Sequence, residues 1–485
     1  MRQSMHNDAH EIINEIIAEN MPDTAVKKAL QGRTFDGAIH VLAIGKAAWV
    51  MAKACHEVLV GQIKRGIVIT KYDHSKGDIP GMEIIEAGHP LSDENTLLGT
   101  AKAIEMADSL TESDFLIVLI SGGGSALFEK PQENISLDDI IDVSEQLIAS
   151  GADIVEINSI RKRLSAVKAG RFAQLCRPAK LLAVVLSDVL GDRLDTIASG
   201  PVTADSTTVD DALNVVAKYR LSFPESVLDA LRIETPKNVD NVESIIIGNV
   251  RSLCTAAANA AQARGYSPLI LTTTIDREAS EVGRLIASVA REIAGVGSDG
   301  GGVANAKNVE FASLFRVAWN FKLSENTDDF GIVKFAENVM TVKISEASSS
   351  TVTSNFVNES NTFQKLCTLK RPCAIILGGE TVVHLKGSGL GGRNQELALT
   401  AALHMDGLRD VLLFSLGSDG TDGPTDAAGG IVDGSTASRL AAAGFDIKAV
   451  LANNDSYNGL KAVGGLIMTG PTGTNINDVT VLLCR

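Results

Sequence analysis

The residues best suited to chemistry lie in a glycine-rich stretch, residues 373–396, CAIILGGETVVHLKGSGLGGRNQE. An apolar run, 374–377, meets Gly378, Gly379 and Glu380. A second run, 381–386, leads into Gly387, Gly389, Gly391 and Gly392. Arg393, Asn394, Gln395 and Glu396 then open an apolar helix. Glycines let backbone N–H groups come close to a ligand. A helix start offers unpaired N–H donors and a positive dipole end. That combination attracts an anion, most often a phosphate, so Gly391, Gly392 and Asn394 read as phosphate contacts. Arg393 adds a planar fork of donors matched to carboxylate or phosphate. Gly387, Gly389 and Gly392 also fit G-x-G-x-x-G, the dinucleotide fingerprint. As a fingerprint it is weak. The run before it alternates and ends on Lys386, whereas a strand buried on both faces is apolar throughout. No acidic residue ends a strand about 20 positions on, because Asp410 precedes its strand.

Four strand ends carry polar chemistry. Gly45-Lys46 follows an apolar run, 38–44, and starts a helix. A lysine there reaches a phosphate as a point charge, and a merely solvated cation is disfavoured at a helix N-terminus. Ser121, Gly122, Gly123, Gly124 and Ser125 follow the run 115–120. They can cradle a phosphate with N–H groups and two hydroxyls. A tight strand–helix turn is the plainer reading, and the loop is not a Walker A sequence. Ser187-Asp188 and Asp192 follow 181–186. Carboxylates at such an end suit magnesium, which takes one or two of them plus substrate oxygens; helix capping is the alternative. Asp419, Asp422 and Asp426 punctuate GSDGTDGPTDAAGG, either as ligands or as turn residues bonding locally. Asn158, Arg161, Lys162 and Lys168 add a basic cluster that is either a ligand contact or a solvated helix face. Lysine, arginine, glycine loops and strand-end carboxylates are the parts of phosphoryl transfer. No Ser/His/Asp arrangement stands out, and the eight histidines show no metal-type spacing.

The elements that must hold these residues are apolar runs alternating with amphipathic ones. That order predicts a parallel sheet covered on both faces. At 485 residues, two or more domains are expected. A charged, Pro-containing stretch, 232–240, marks the junction, dividing the chain into 1–240 and 241–485. Residues 297–368 differ in texture and hold half of the 14 phenylalanines. They read as an atypical insertion: a surface insertion, a functional one, or a sequence-assembly artefact such as untranslated sequence retained in the gene model. Within it 346–361 is Ser/Thr/Asn-rich and reads as disordered. A net charge of −15 argues against a nucleic-acid surface. No apolar run approaches the roughly 18 residues of a membrane span. The N-terminal residues lack a signal-peptide core. The six scattered cysteines read as reduced thiols of a cytoplasmic protein.

Eleven stretches in order, IGKAA, EAGHPLSDEN, LISGGGSAL, INSIRKRLSAVKAG, LSDVLGD, IASGPV, GGETVV, GGRNQELAL, GSDGTDGPTDAAG, LANNDSY and TGPTGTNINDV, resemble the two-domain glycerate kinases whose C-terminal part is the MOFRL domain. The match runs from about residue 8 to the end, except the insertion. The resemblance implies an α/β fold: a Rossmann-like α/β/α N-terminal sandwich, a smaller C-terminal α/β domain with the MOFRL region at about 370–483, and a cleft between them. It implies phosphorylation of D-glycerate, usually at the 2-hydroxyl and alternatively at the 3-hydroxyl, with ATP and Mg2+. It carries Lys46 and Arg393 over as active-site residues, with Glu380, Asp188 and Asp419 in the cleft. Lys46, Arg393, Glu380 and Asp188 are thus the expected catalytic set, and Asp188, Asp192 and Asp419 the expected metal carboxylates. Arg163 departs from the pattern, standing where relatives often carry histidine. Two other classes compete: a nicotinamide-dependent hydroxypyruvate reductase and a catalytically silent metabolite-binding protein. Small-molecule partners and a monomer or homodimer are expected.

Overall fold

The computed structural model describes residues 2–295, 333–336, 339–342 and 369–485. Two six-stranded sheets organise it. The first comprises β1 (Ala38–Ile44), β2 (Ile63–Lys71), β3 (Met82–Ala87), β4 (Asp114–Ile120), β5 (Lys180–Leu186) and β6 (Val242–Gly248). Its order is β3-β2-β1-β4-β5-β6 and every neighbouring pair is parallel. This is the doubly wound order, with its topological switch between β1 and β4. Side chains alternate across the sheet. Ile39, Val41 and Ala43 of β1 enter one apolar cluster, and Leu42 and Ile44 enter another on the opposite face.

In the second sheet, β7 (Ser267–Ile275) precedes a separate two-stranded ribbon, β8 (Val333–Ala336) and β9 (Val339–Val342). Then come β10 (Cys373–Gly379), β11 (Val411–Gly417), β12 (Gly429–Asp433), β13 (Leu466–Ile467) and β14 (Asp478–Cys484). The sheet order is β13-β12-β11-β14-β10-β7, and only β10 and β7 are parallel. The run 381–386 is not a strand. It makes a single bridge, Val382 to Glu278. The expected insertion at 297–368, including its 346–361 stretch, lies outside the described residues apart from the ribbon.

The junction expected at residue 240 needs correcting. β6 pairs with β5, so the first sheet extends to Gly248. The charged stretch 232–240 is a connection inside the first unit, leading into an edge strand. At the other end, the helix Arg2–Glu19 packs on the helix Val250–Ala263 of the second unit. Arg264 Nη2 binds Glu15 at 2.7 Å and Tyr266 Oη binds Asp8 at 2.7 Å. One apolar cluster runs through Val41, Val68, Leu253, Ile376 and Val481, so the two sheets share a core. Among the described residues no helix is long and apolar enough to cross a membrane.

Candidate active site

The carboxyl ends of β1 and β4 are stitched together at the switch point. Gly45 follows β1 with φ of 114°, and a Cβ there would lie 2.4 Å from the Ser121 carbonyl oxygen. Only glycine allows both that angle and that approach. Lys46 N–H donates to Gly122 O at 2.9 Å. Ser121 Oγ accepts from Ala47 N–H at 3.0 Å and donates to Ile44 O at 3.3 Å. Ser121 is therefore buried and braces the turn, which corrects its expected role as a phosphate hydroxyl. Ser125 Oγ is bonded to Ser199 Oγ at 2.9 Å. The N–H groups of Gly123, Gly124 and Ser125 have no acceptor among the described residues, which leaves them available to a ligand.

Three side chains converge on this turn. A Cβ on Gly122 would sit 2.2 Å from Asp188 Oδ2. One on Gly123, whose φ is 86°, would sit 3.0 Å from His89 Nε2 and 3.1 Å from Lys46 Cγ. Lys46 comes from the end of β1, His89 from beyond β3 and Asp188 from beyond β5. Burial raises the Asp188 pKa above the usual carboxylate value; Lys46 pulls it back and Glu380 pushes it further up. Glu380, at the end of β10, therefore lies within electrostatic reach of Asp188. Burial first, then the charge of Lys46, lowers the His89 pKa, which favours the neutral imidazole. His89 is a site residue that sequence reasoning left without a role, although EAGHPLSDEN contains it.

Arg393 and Glu380 build the second rim. Arg393 grips Asp478 with Nε at 2.6 Å and Nη2 at 3.0 Å, and Nη1 donates to Glu380 Oε1 at 2.8 Å. Asn477 Nδ2 reaches Glu380 Oε2 at 3.4 Å. Asp478 pairs with Gly379 on one side and Gly417 on the other. Burial pushes its carboxyl up to about 7 against the pull of Arg393. A Cβ on Gly417 would have Asp419 Oδ1 and Asp478 Oδ1 each at 3.4 Å, so Asp419 also reaches this rim. Asp478 is the second residue that sequence reasoning missed.

The phosphate site expected at the start of the helix Arg393–His404 is filled by the chain itself. Asp422 accepts from Asn394 N–H at 3.1 Å and Gln395 N–H at 2.8 Å. Asn394 is buried, with Nδ2 directed to Asp422 at 3.3 Å and Oδ1 accepting from Ser415 Oγ at 2.6 Å. Burial raises Asp422 to about 6. The glycines approach protein, not ligand. A Cβ on Gly392 would lie 2.3 Å from Asp422 Cγ, and one on Gly391 would lie 2.2 Å from Ser456 Oγ. Gly387 and Gly389 pack on Asn453 O, so the apparent dinucleotide fingerprint follows no strand and cradles a neighbouring loop. Gly391, Gly392 and Asn394 are thus corrected from phosphate contacts to loop and cap residues.

The expected metal trio does not assemble. Asp192 Oδ2 accepts from Asn249 Nδ2 at 2.6 Å, and Asp419 Oδ1 accepts from Thr421 N–H at 3.0 Å. Among the described residues no three His, Cys, Asp or Glu side chains are grouped to hold a metal. Behind the Gly122–Ser125 turn lies a buried charge network. Lys168 Nζ pairs with Glu129 and donates to Ser125 O at 2.7 Å. Lys162 binds Asp205 at 3.1 Å and Asp195 at 3.2 Å. Arg163 is fully buried and donates to Glu234 at 2.8 Å and Thr207 O at 3.0 Å, so this departure from the family pattern is a structural residue.

A doubly wound sheet presenting a lysine, a histidine and a carboxylate at its switch point, faced by an arginine–carboxylate set, is the build of an α/β enzyme acting on anionic small molecules. The profile of a domain family of unknown function, DUF4147, matches residues 8–232, and that of the MOFRL family matches residues 373–478. The chain is 47% identical over 479 residues to a D-glycerate 2-kinase of Thermotoga maritima, covering 99% of this chain and 98% of that one. It is 35% identical over 472 residues to a glycerate 2-kinase of Pyrococcus horikoshii, covering 94% and 90%. A crystal structure of glycerate kinase from Thermotoga maritima matches with a TM-score of 0.82 at 46% identity, covering both chains in full. The chain belongs to the glycerate kinase family and carries the MOFRL region in its C-terminal part.

Proposed function

We propose that this protein is a D-glycerate 2-kinase, transferring the γ-phosphoryl group of ATP to the 2-hydroxyl of D-glycerate. The hydroxyl oxygen bonds to the γ-phosphorus, the bond from that phosphorus to the β–γ bridging oxygen breaks, and ADP departs. Asp188 accepts the hydroxyl proton. Its burial keeps it basic enough for that task. Lys46 sets a positive charge beside the transferred group, where such charges act in a low-dielectric site. The free N–H groups of Gly123, Gly124 and Ser125 receive phosphate oxygens. Neutral His89 supplies a hydrogen bond at the same turn. Arg393 has two carboxylate partners already, so its task is to orient Glu380.

Magnesium bound with the nucleotide would supply neutralisation of phosphate charge. It keeps several waters and needs only one or two protein carboxylates, and a half-exposed Glu380 aimed by Arg393 and Asn477 fits that demand. Among the described residues five cysteines are free and buried, and with small-molecule substrates they support a cytoplasmic setting. The observation that carries the proposal is the convergence of Lys46, His89 and Asp188 on Gly122 and Gly123. The test is ADP release with MgATP and D-glycerate, with the product identified. Formation of 2-phosphoglycerate is the expected result. 3-Phosphoglycerate would overturn the regiochemistry, and no turnover would overturn the kinase reading.

A further inference from the structure

We infer that Arg161 and Asn158 form the subsite for the carboxylate of the acceptor acid, a role that rests on the kinase reading above. The argument starts from an inventory of cations. Lys162, Arg163, Lys168 and Arg393 each have a carboxylate partner within bonding distance. Arg161 has neither hydrogen bond nor ion pair among the described residues, and its Nε is shielded from solvent without an acceptor. Arginine does not shed its proton, so a partly buried guanidinium whose Nε is shielded and unpartnered is suited to an anion. Glu129, the carboxylate whose charge acts on Arg161, is paired with Lys168. One carboxylate between two cations leaves one positive charge over.

The location fits the acceptor. Glu129 and Lys168, whose charges act on Arg161 or are acted on by it, sit behind the turn, with Lys168 bonded to Ser125 O. The front of that turn faces Lys46, His89 and Asp188. Asn158 lies three residues before Arg161 on the helix Ile154–Leu164, and so shares its face. It is 5% exposed and makes no hydrogen bond to any described residue. A guanidinium fork beside a free amide matches a carboxylate and the hydroxyl next to it. A single net charge suits one carboxylate better than a triphosphate, for which Lys46 and the loop N–H groups stand ready.

The test compares wild type with Arg161→Met and Asn158→Ala in steady-state kinetics and in calorimetric binding of D-glycerate without nucleotide. Arg161→Met is expected to raise KM and Kd for D-glycerate roughly 10²-fold, while KM for ATP stays within about 2-fold. Asn158→Ala is expected to raise them about 10-fold. Wild type is expected to prefer D-glycerate over glyceramide, and Arg161→Met to lose that preference. A folded Arg161→Met enzyme with wild-type KM for D-glycerate would overturn the inference. So would equal losses in both KM values and kcat, the signature of a structural role. If Arg161→Met does not fold, Arg161→Lys serves; loss of the fork is expected to raise KM for D-glycerate roughly 10-fold, and an unchanged value would overturn the subsite. Absence of wild-type turnover sinks the kinase reading separately. Calorimetry then still decides the subsite: binding lost in Arg161→Met supports it, and no binding by wild type refutes it.

Discussion

Arg393 holds Asp478 through two parallel hydrogen bonds, at 2.6 Å and 3.0 Å, at the point where three strands of the second sheet end together. Gly379 and Gly417 flank Asp478 in register, so no side chain competes with the guanidinium for that space. The pair is a bracket. It fixes the arginine, and the arginine's third bond fixes Glu380 at the cleft. A buried carboxylate gripped on one side only would be costly, which makes the pairing sensitive to pH.

Arg393→Ala is expected to destabilise the fold by roughly 3 kcal/mol near neutral pH, because it leaves a buried carboxylate unpaired. The sign of the pH effect follows from linkage. The Asp478 pKa is already raised to about 7 in the folded state, against an unfolded value of about 4. Stability from this group is therefore full below pH of about 4 and falls as pH rises through the folded value. Removing the opposing cation raises the folded pKa further, so the deficit of Arg393→Ala widens from pH 5 to pH 8. Urea denaturation at the two values measures it; an equal deficit at both would show that Asp478 does not titrate in this way.

Asp422→Ala is expected to cost about 1–2 kcal/mol, the usual loss for a helix cap, since Asn394 and Gln395 lose their acceptor. KM for ATP is expected to change less than about 2-fold. Thermal melting and steady-state kinetics check both. A large rise in KM for ATP with unchanged stability would return the helix start to its first reading as a phosphate site.

Which residues were legible follows from sheet type. Every strand of a parallel sheet points its carboxyl end to one edge, so Lys46, the Gly122–Ser125 turn and Asp188 could be placed together from apolar runs alone. In the antiparallel second sheet, neighbours depend on register across long separations. Nothing in TGTNINDV shows that Asp478 faces Gly379 and Arg393. Glycines were ambiguous for a similar reason. Gly391 and Gly392 are small because Ser456 and Asp422 press on them, a need that reads in sequence like close approach to a phosphate. β6 was assigned to the wrong unit because VESIIIG is a partly exposed edge strand beside a charged linker.

Gly122→Ala tests the convergence from the backbone side. The added methyl would meet Asp188 Oδ2 at 2.2 Å, too close to coexist without moving the carboxylate. Catalysis is expected to fall roughly 10²-fold, in keeping with displacement of a positioned group by about an ångström. Circular dichroism is expected to remain that of wild type. Full activity in Gly122→Ala would mean that Asp188 can be displaced without consequence, and would remove it from the proton-accepting role.

Lys46→Met separates charge from architecture at the same turn. The lysine is partly exposed and its backbone bond to Gly122 O survives the substitution, so melting temperature is expected to hold within a few degrees. Loss of a charge acting on the transferred phosphoryl is expected to lower kcat about 10²–10³-fold. A second consequence is independent of rate. Burial raises the Asp188 pKa and Lys46 opposes that rise. Without the opposing charge the carboxyl holds its proton to higher pH, and only the ionised form can accept a proton. The acid limb of residual kcat/KM therefore moves to higher pH. A limb at the wild-type position, with kcat reduced, would leave Lys46 catalytic but assign that limb to a group other than Asp188.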